Sequence, residues 1–379
     1  MRNSRMAVSA FFFVNGFLYA NLMARLPELQ SFYNISNSVL GTLLFLVAAG
    51  AMTAMPFTGW LTTKYGSDGI TRVSGILFCL FTPFIVLYPN VAFAGFFLFL
   101  LGTATGSMDV CANGQAVYVE RLWGKPIISS FHAVFSIGMA LGAGSGALFS
   151  HFDISLLIHL SSLCTASLFI VIIASFYLIS DKDDVDESGE DSSGFRWPSK
   201  AIIPLGIIAL CSMIGEGSMT DWSAIYMNTV VGQEPTFSAI AFGVYAGGMT
   251  LGRLFGDKLT TYYGRKKLLK YDAICAIIGL GIALAHVSVF TAFLGFFLVG
   301  LGVATAVPII FSLAGNTKGV KPAVGIAMAT SIGYTGFFVG PPSIGFLSDI
   351  FGLRLALSVV LLLFGLMLYL VWKYIDEKA

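Results

Sequence analysis

The sequence predicts an all-α polytopic membrane protein with twelve transmembrane helices arranged as two pseudo-symmetric six-helix bundles. Three observations lead to this class: a hydrophobic composition, twelve separable apolar stretches and an internal repeat. The 379 residues are 56% hydrophobic and 11% charged, with a mean hydropathy of +0.85. Soluble domains carry about 25% charged residues, so the composition excludes an ordinary soluble enzyme. The net charge of +1 argues against nucleic-acid binding.

Twelve apolar stretches are long enough to cross a bilayer, which requires about 20 residues in a helix. The stretches are 6–24, 39–61, 70–88, 91–119, 127–149, 154–180, 201–230, 236–258, 268–287, 289–314, 322–347 and 354–373. The lysines and arginines of the short loops set the orientation, because positively charged loops stay in the cytoplasm. With a cytoplasmic N-terminus, only Arg25 and Arg354 of the 21 cations lie outside. We therefore expect a multi-pass plasma (inner) membrane protein with both termini in the cytoplasm.

One long polar stretch interrupts the apolar pattern in the middle of the chain. Residues 181–200, DKDDVDESGEDSSGFRWPSK, are acidic and rich in Ser and Gly, a composition that cannot bury a core. This stretch predicts a flexible cytoplasmic linker between an N-terminal bundle, 1–180, and a C-terminal bundle, 201–379.

The two predicted bundles resemble each other in sequence. FFLFLLGTAT at 96–105 corresponds to FFLVGLGVAT at 296–305, and LTTKYG at 61–66 corresponds to LTTYYG at 259–264. The two displacements, 200 and 198 residues, nearly agree, and each pair falls on equivalent spans or loops. A six-span repeat gives both copies one orientation, as in transporters built from parallel repeats. The pattern indicates alternating-access transport.

Two segments carry a resemblance to a known family. GWLTTKYG at 59–66 and GRLFGDKLTTYYGRKK at 252–267 resemble the loop motif of the major facilitator superfamily, roughly Gly-x-Leu-Ala-Asp-Arg-x-Gly-Arg-Arg. The resemblance extends over essentially the whole chain. Threonine stands where the motif has its Asp, so we expect Arg253 and Asp257, four residues apart on one helix, to form a substitute gating pair.

Further segments resemble the fucose-permease-like, bypass-of-stop-codon-type branch of that superfamily. They are GEGSMTDWS at 215–223, ARLP at 24–27, MDVCANGQ at 108–115 and SSFH at 129–132. The superfamily resemblance implies a transporter in which spans 1, 4, 7 and 10 line the cavity.

Ionisable residues inside the membrane are costly and usually functional. Asp109 lies near the middle of span 4 and Glu216 lies in span 7, so both are candidate proton-binding groups. The alternative for each is a structural hydrogen bond or ion pair between helices. Other candidates for substrate or proton binding, each with packing as the alternative role, are Asn15, Tyr19, Asn113, His132, Trp222, Tyr226, Tyr245, Ser312, Asn316 and Tyr334.

Two features are candidates for gating. Arg25 and Asp221 lie at the outer ends of spans 1 and 7, and we expect them to pair when the outer side is closed. The alternative is that Arg25 reaches the lipid head groups and Asp221 caps a helix break. Glycines also recur every fourth residue in spans 5 and 8, including Gly142 and Gly252. Because the resemblance implies that these spans face each other across the two halves, we expect the glycines to form a pivot.

The sequence thus predicts a secondary active transporter for a small organic solute, sugar-like or a related polar metabolite. We expect proton coupling and no cofactor, although carboxylates alone leave sodium coupling open. No His, Asp and Glu cluster has metal-ligand spacing, so neither a metal site nor an enzyme is predicted. The expected partners are the substrate and the lipid bilayer, with a monomeric protein. The alternatives are a drug or metabolite exporter on the same fold, or a non-transporting membrane sensor.

Overall fold

The computed structural model describes residues 1–124, 127–180, 201–317 and 322–375, and every regular element in this part of the chain is a helix. Fourteen helices follow in order. They are α1 (Arg2–Ala24), α2 (Leu26–Tyr33), α3 (Asn37–Tyr65), α4 (Ser67–Phe84), α5 (Val91–Trp123), α6 (Ile128–His151), α7 (Leu156–Ser175), α8 (Ile202–Thr229), α9 (Pro235–Tyr263), α10 (Arg265–Ala285), α11 (Val289–Val303), α12 (Ala306–Gly315), α13 (Pro322–Phe351) and α14 (Leu353–Tyr374). The predicted all-α fold class is confirmed.

Every predicted span coincides with a helix, and the tenth coincides with two. Within the described residues, nine segments are by themselves long and apolar enough to cross a membrane. The three other predicted spans lie in α4, α9 and α13. The helix α9 carries the charged residues Arg253, Asp257 and Lys258, which lower its mean hydropathy.

The tenth span is interrupted where the sequence predicted a continuous helix. The helix α11 ends at Val303, and α12 begins at Ala306. Pro308 has no N–H and cannot donate to the carbonyl oxygen of Ala304, so the helical bonding pattern is broken at this point. Hydropathy alone does not reveal this break, because the stretch around Pro308 is uniformly apolar.

A short helix, α2, follows α1 and was not predicted. It begins at Leu26 with Pro27 in its first turn and ends at Tyr33, and the next residue, Asn34, has a left-handed φ of 50°. Proline in the first turn and Asn in a left-handed conformation at the end are ordinary helix boundary signals. Both signals were present in the loop between spans 1 and 2.

The chain divides into two compact units. The first comprises Met1–Ile35 and Leu43–Ser193, and the second comprises Ser36–Thr42 and Gly194–Ala379. The predicted linker, 181–200, lies outside the described residues. In the second unit, residues of α8, α10, α12, α13 and α14 form one buried apolar cluster.

Close backbone contacts at glycines repeat between the units. A Cβ atom added to Gly50 would lie 2.1 Å from the carbonyl oxygen of Phe99, and one added to Gly248 would lie 2.3 Å from that of Phe297. Both members of the second pair are displaced by the same 198 positions from the first. The same displacement of 198 positions relates two further contacts. A Cβ atom on Gly102 would meet the carbonyl oxygen of Val47, and one on Gly300 would meet that of Tyr245. The internal repeat of the sequence is therefore also a repeat of helix packing.

The glycines of α6 and α9 pack inside their own units. A Cβ atom on Gly142 of α6 would lie 2.4 Å from the carbonyl oxygen of Phe17 on α1. One on Gly252 of α9 would lie 2.5 Å from the Cβ atom of Ala304, which follows α11. These glycines allow close contact of α6 with α1 and of α9 with α11, and the predicted pivot between spans 5 and 8 stays a prediction. A stripe of small residues predicts a close helix contact but does not identify the other helix.

Candidate functional site

The first candidate site joins α1 and α5 through three polar side chains. The Nδ2 atom of Asn15 donates to Oδ1 of Asp109 at 2.8 Å. The Oγ1 atom of Thr105 donates to Oδ1 of Asn15 at 2.9 Å. Asn15 is only 6% exposed, and Asp109 is half-buried. The contacts form one continuous chain from Thr105 through Asn15 to the carboxylate.

Helix periodicity places the α5 members of this site on one face. Thr105, Asp109 and Asn113 follow one another at intervals of four residues, so their side chains lie above one another. The Nδ2 atom of Asn113 donates to the backbone carbonyl of Asp109 at 2.8 Å. Asn113 is therefore anchored to its own helix, whereas Asn15 is the residue that contacts the carboxylate.

The second candidate site is an ion pair between α8 and α9. An Nη atom of Arg253 lies 3.1 Å from Oε1 of Glu216. Both side chains are partly exposed, Arg253 to 32% and Glu216 to 19%. The hydroxyl of Tyr245, also on α9, donates to the backbone carbonyl of Glu216 at 3.3 Å. The pair is thus held between two neighbouring helices of the second unit.

The ion pair corrects the predicted partner of Arg253. The sequence paired Arg253 with Asp257 on the same helix, but Asp257 is exposed and the guanidinium contacts Glu216 instead. Ion pairs at this spacing are favoured when the acid precedes the base along the helix, whereas Arg253 precedes Asp257.

Asp109 and Glu216 thus have different electrostatic surroundings. In the part of the chain that the structure describes, Asp109 has no cationic partner, and the group that binds its carboxylate is a neutral amide. Glu216 faces a guanidinium, which stabilises its ionised form. The two carboxylates therefore differ in the charge of the group that each contacts.

Arg25 lies in a buried network at the C-terminal end of α1. Its side chain is 2% exposed and forms an ion pair with Glu28 of α2, with Nε 2.7 Å from Oε1. A further N–H lies 3.2 Å from Nδ1 of His159, whose other ring nitrogen lies 2.9 Å from Oδ1 of Asn21. Arg25 therefore does not reach towards the lipid head groups as the alternative interpretation held.

Asp221, the predicted gating partner of Arg25, is 5% exposed. Among the described residues its carboxyl group has no hydrogen bond or ion pair. The helix α8 continues through this position from Ile202 to Thr229, so Asp221 does not cap a helix break. The gate formed by Arg25 and Asp221 stays a prediction.

Three aromatic candidates are fully buried in the second unit: Trp222, Tyr226 and Tyr245. The hydroxyl of Tyr226 donates to the backbone carbonyl of Ala283 at 2.7 Å, so this residue holds α8 against α10. The Nε1 atom of Trp222 is buried without a hydrogen-bond partner. The same is true of the hydroxyls of three residues that sequence reasoning missed, all on α8: Ser212, Ser218 and Ser223.

The remaining candidates are dispersed. His132 is exposed on α6, with its ring 5.2 Å from that of Phe12. Asn316 is exposed and donates to the carbonyl of Ser312, which is half-buried, at 2.7 Å. Tyr19 on α1 and Tyr334 on α13 are half-buried.

Comparison with known proteins identifies the family. The model of the Major Facilitator Superfamily matches residues 8–341. The chain belongs to the major facilitator superfamily. It is accordingly a membrane transporter and not an enzyme. The more specific branch suggested by the sequence stays a prediction.

Relatives cover nearly the whole chain. An MFS-type transporter of Yersinia pestis is 35% identical over 354 residues, covering 93% of this chain and 91% of the relative. The membrane protein MosC of Rhizobium meliloti is 30% identical over 356 residues, covering 94% and 86%.

Solved structures show the same fold at low sequence identity. The nucleoside transporter NupG (a D323A mutant) aligns with a TM-score of 0.78 and 12% identity, covering 98% of this chain and 99% of that one. A D-xylose-proton symporter aligns with a TM-score of 0.77 and 12% identity, covering 98% and 97%.

Proposed function

We propose that this protein is a secondary active transporter that moves a small polar organic solute by alternating access and couples its movement to protons. Membership of the superfamily supports the transport function. Two proteins of the same fold are named for nucleosides and for D-xylose with protons. Both solutes are small and rich in hydroxyl groups, which agrees with the sugar-like substrate class inferred from the sequence.

The observation that carries proton coupling is the contact of Asp109 with Asn15. Thr105 donates to the amide oxygen of Asn15, which leaves the amide nitrogen to donate to Oδ1 of Asp109. Oδ2 is then the oxygen on which Asp109 carries its proton. Because the chain from Thr105 to Asp109 crosses from α5 to α1, a change in protonation alters a contact between two helices.

Glu216 has a different role in this proposal. Its carboxylate is paired with the guanidinium of Arg253, and removing either partner would leave an uncompensated charge in a partly desolvated place. We therefore assign the transported proton to Asp109. Glu216 and Arg253 are positioning residues that hold α8 against α9.

The orientation and setting follow from the distribution of charge. The loops rich in lysine and arginine lie in the cytoplasm, which gives an inner-membrane protein with cytoplasmic termini. We propose that it acts as a monomer.

The substrate class is tested with purified protein. Pentoses, hexoses and nucleosides are screened for a rise in the thermal unfolding temperature, and each positive compound is tested for counterflow in proteoliposomes. The proposal expects at least one hydroxyl-rich compound to do both. Stabilisation and counterflow confined to apolar cationic drugs would instead support the exporter.

A further inference from the structure

A groove opens on the face of α1 that points away from the core of the first unit. Its volume is about 620 Å³, and the residues that line it include Arg2, Arg5, Met6, Phe13, Trp123 and Ile170. Met6 is 62% exposed and Ile170 is 40% exposed. The buried face of α1, with Phe11 and Asn15, lies on the opposite side of the helix.

One end of the groove is positively charged. The guanidinium of Arg5 lies 5.0 Å from the centre of the Trp123 ring and donates to the hydroxyl of Ser130 at 3.2 Å. These two contacts fix the direction of the side chain and leave other N–H groups available. None of the described residues that line the groove is acidic, and neither Arg2 nor Arg5 has an acidic partner in the described part of the chain. The groove therefore has two uncompensated positive charges.

The other end of the groove is apolar, and the whole groove is about as long as a lipid acyl chain. Met6, Phe13 and Ile170 carry no charge, and Val134 of α6 completes the wall. From Arg2 to Phe13 α1 rises by about 16 Å at 1.5 Å per residue. The hydrocarbon region of one leaflet is roughly 15 Å deep, half of the bilayer core. A molecule with an anionic head and an acyl chain matches both ends.

We propose that this groove binds one anionic phospholipid of the cytoplasmic leaflet. Its headgroup phosphate contacts Arg2 and Arg5, and one acyl chain lies along Met6, Phe13 and Ile170. Basic pockets between helices on the cytoplasmic side are known to suit anionic head groups, and a tryptophan at the interface is a common anchor. The leaflet rests on the topology proposed above, whereas the charge and shape of the groove do not.

The test measures lipid binding without transport. Phosphatidylglycerol, phosphatidylcholine and inorganic phosphate are added separately to purified protein. Bound lipid is counted by native mass spectrometry, and the unfolding temperature is recorded. Phosphatidylglycerol is expected to bind and stabilise, and the double variant Arg2→Gln/Arg5→Gln is expected to bind it about 25-fold more weakly, roughly fivefold for each arginine. The variant Arg2→Lys/Arg5→Lys, which keeps both charges, should retain most of the binding.

Lys64 provides a matched control. It lies at the inner end of α3, with its ammonium 5.8 Å from the Trp60 ring and 5.3 Å from the Tyr65 ring, but it does not line the groove. Lys64→Gln should bind phosphatidylglycerol as the unchanged protein does. Equal binding by the Arg2→Gln/Arg5→Gln variant, equal stabilisation by phosphatidylcholine, or the full effect from inorganic phosphate alone would overturn the proposal. Because transport is not measured, none of these results bears on proton coupling.

Discussion

At the scale of single residues, Asp109 and Glu216 differ in what their carboxylate oxygen atoms contact. Asp109 accepts from the neutral amide of Asn15, and Glu216 contacts the guanidinium of Arg253. A neutral donor tolerates both the charged and the protonated acid, whereas a guanidinium favours the charged form. This difference is the reason why we propose Asp109 as the residue that binds and releases the proton.

The contact of Asn15 with Asp109 predicts an asymmetry between two asparagines. Asn15→Ala removes the donor to the carboxylate and should lower the free energy of unfolding by about 1 kcal/mol, and it should also reduce proton-driven uptake. Asn113→Ala is the matched control, because within the described residues its amide donates to a backbone carbonyl of its own helix and not to the carboxylate. Thermal unfolding and uptake are measured for both variants. Equal loss of uptake in both would contradict the assigned role of Asn15.

Charge-exchange variants can show which of two acidic residues is the functional partner of Arg25. Its partner in this structure is Glu28, while the gate prediction pairs it with Asp221. If the gate operates, Arg25→Asp/Asp221→Arg should regain transport that each single variant loses. Arg25→Glu/Glu28→Arg serves as the comparison, and rescue by this variant alone would refute the gate with Asp221. Solute counterflow is the measurement.

The sequence identified the members of the first site but not their contact. Asp109 and Asn15 were candidates because polar residues in apolar spans are costly, a property visible in each span separately. Their hydrogen bond joins positions 94 residues apart, and helical periodicity contains no information on which helices become neighbours. The partner of Arg253 was wrong for the same reason, since only neighbours on one helix can be inferred from spacing.

At the scale of helices, the glycine contacts predict a loss of stability. Gly142→Leu and Gly252→Leu place side chains where a Cβ atom would already lie 2.4 Å from the carbonyl oxygen of Phe17 and 2.5 Å from the Cβ atom of Ala304, respectively. Each should lower the free energy of unfolding by about 1–3 kcal/mol through overpacking. Gly144→Leu on α6 and Gly247→Leu on α9 are the controls, because a Cβ atom there meets nothing within 4 Å. Normal unfolding temperatures with blocked transport would instead favour the pivot.

The start of α3 predicts a dependence of stability on pH. The carboxylate of Asp349 on α13 accepts from the backbone N–H groups of Asn37 and Ser38, each at 3.0 Å. Burial acts to raise the pKa of Asp349, but hydrogen bonds from the side chain and backbone of Ser38, the side chain of Ser36 and the backbone of Asn37 outweigh burial and lower it. Because the pKa is lower in the folded protein, this contact stabilises at neutral pH and is lost as pH falls through the lowered value.

The variant Asp349→Ala tests this dependence of stability on pH. At neutral pH it should reduce the free energy of unfolding by about 1 kcal/mol, as loss of an acceptor at a helix N-terminus does. The difference from the unchanged protein should disappear in acid, where Asp349 is protonated. Thermal unfolding of both proteins across pH is the measurement. A difference that persists unchanged in acid would show that the carboxylate charge does not matter.

At the scale of the whole chain, the repeat was predictable because its two copies share similar sequence segments. The 198-residue displacement of LTTKYG and LTTYYG returns in the packing of Gly50 and Gly248. Span number and fold class followed from hydropathy, which depends only on local composition. The division of the tenth span and the short helix α2 were missed, because both depend on single residues rather than on averages.

The central claim is that Asp109 carries the proton that moves with the solute. The most direct test follows external pH in weakly buffered proteoliposomes when a solute identified by the screen is added, alongside counterflow of the labelled solute. The unchanged protein should take up protons with the solute. Asp109→Asn, which keeps the size of the side chain, should retain counterflow and lose the pH change. A pH change of normal size in Asp109→Asn would contradict the assignment.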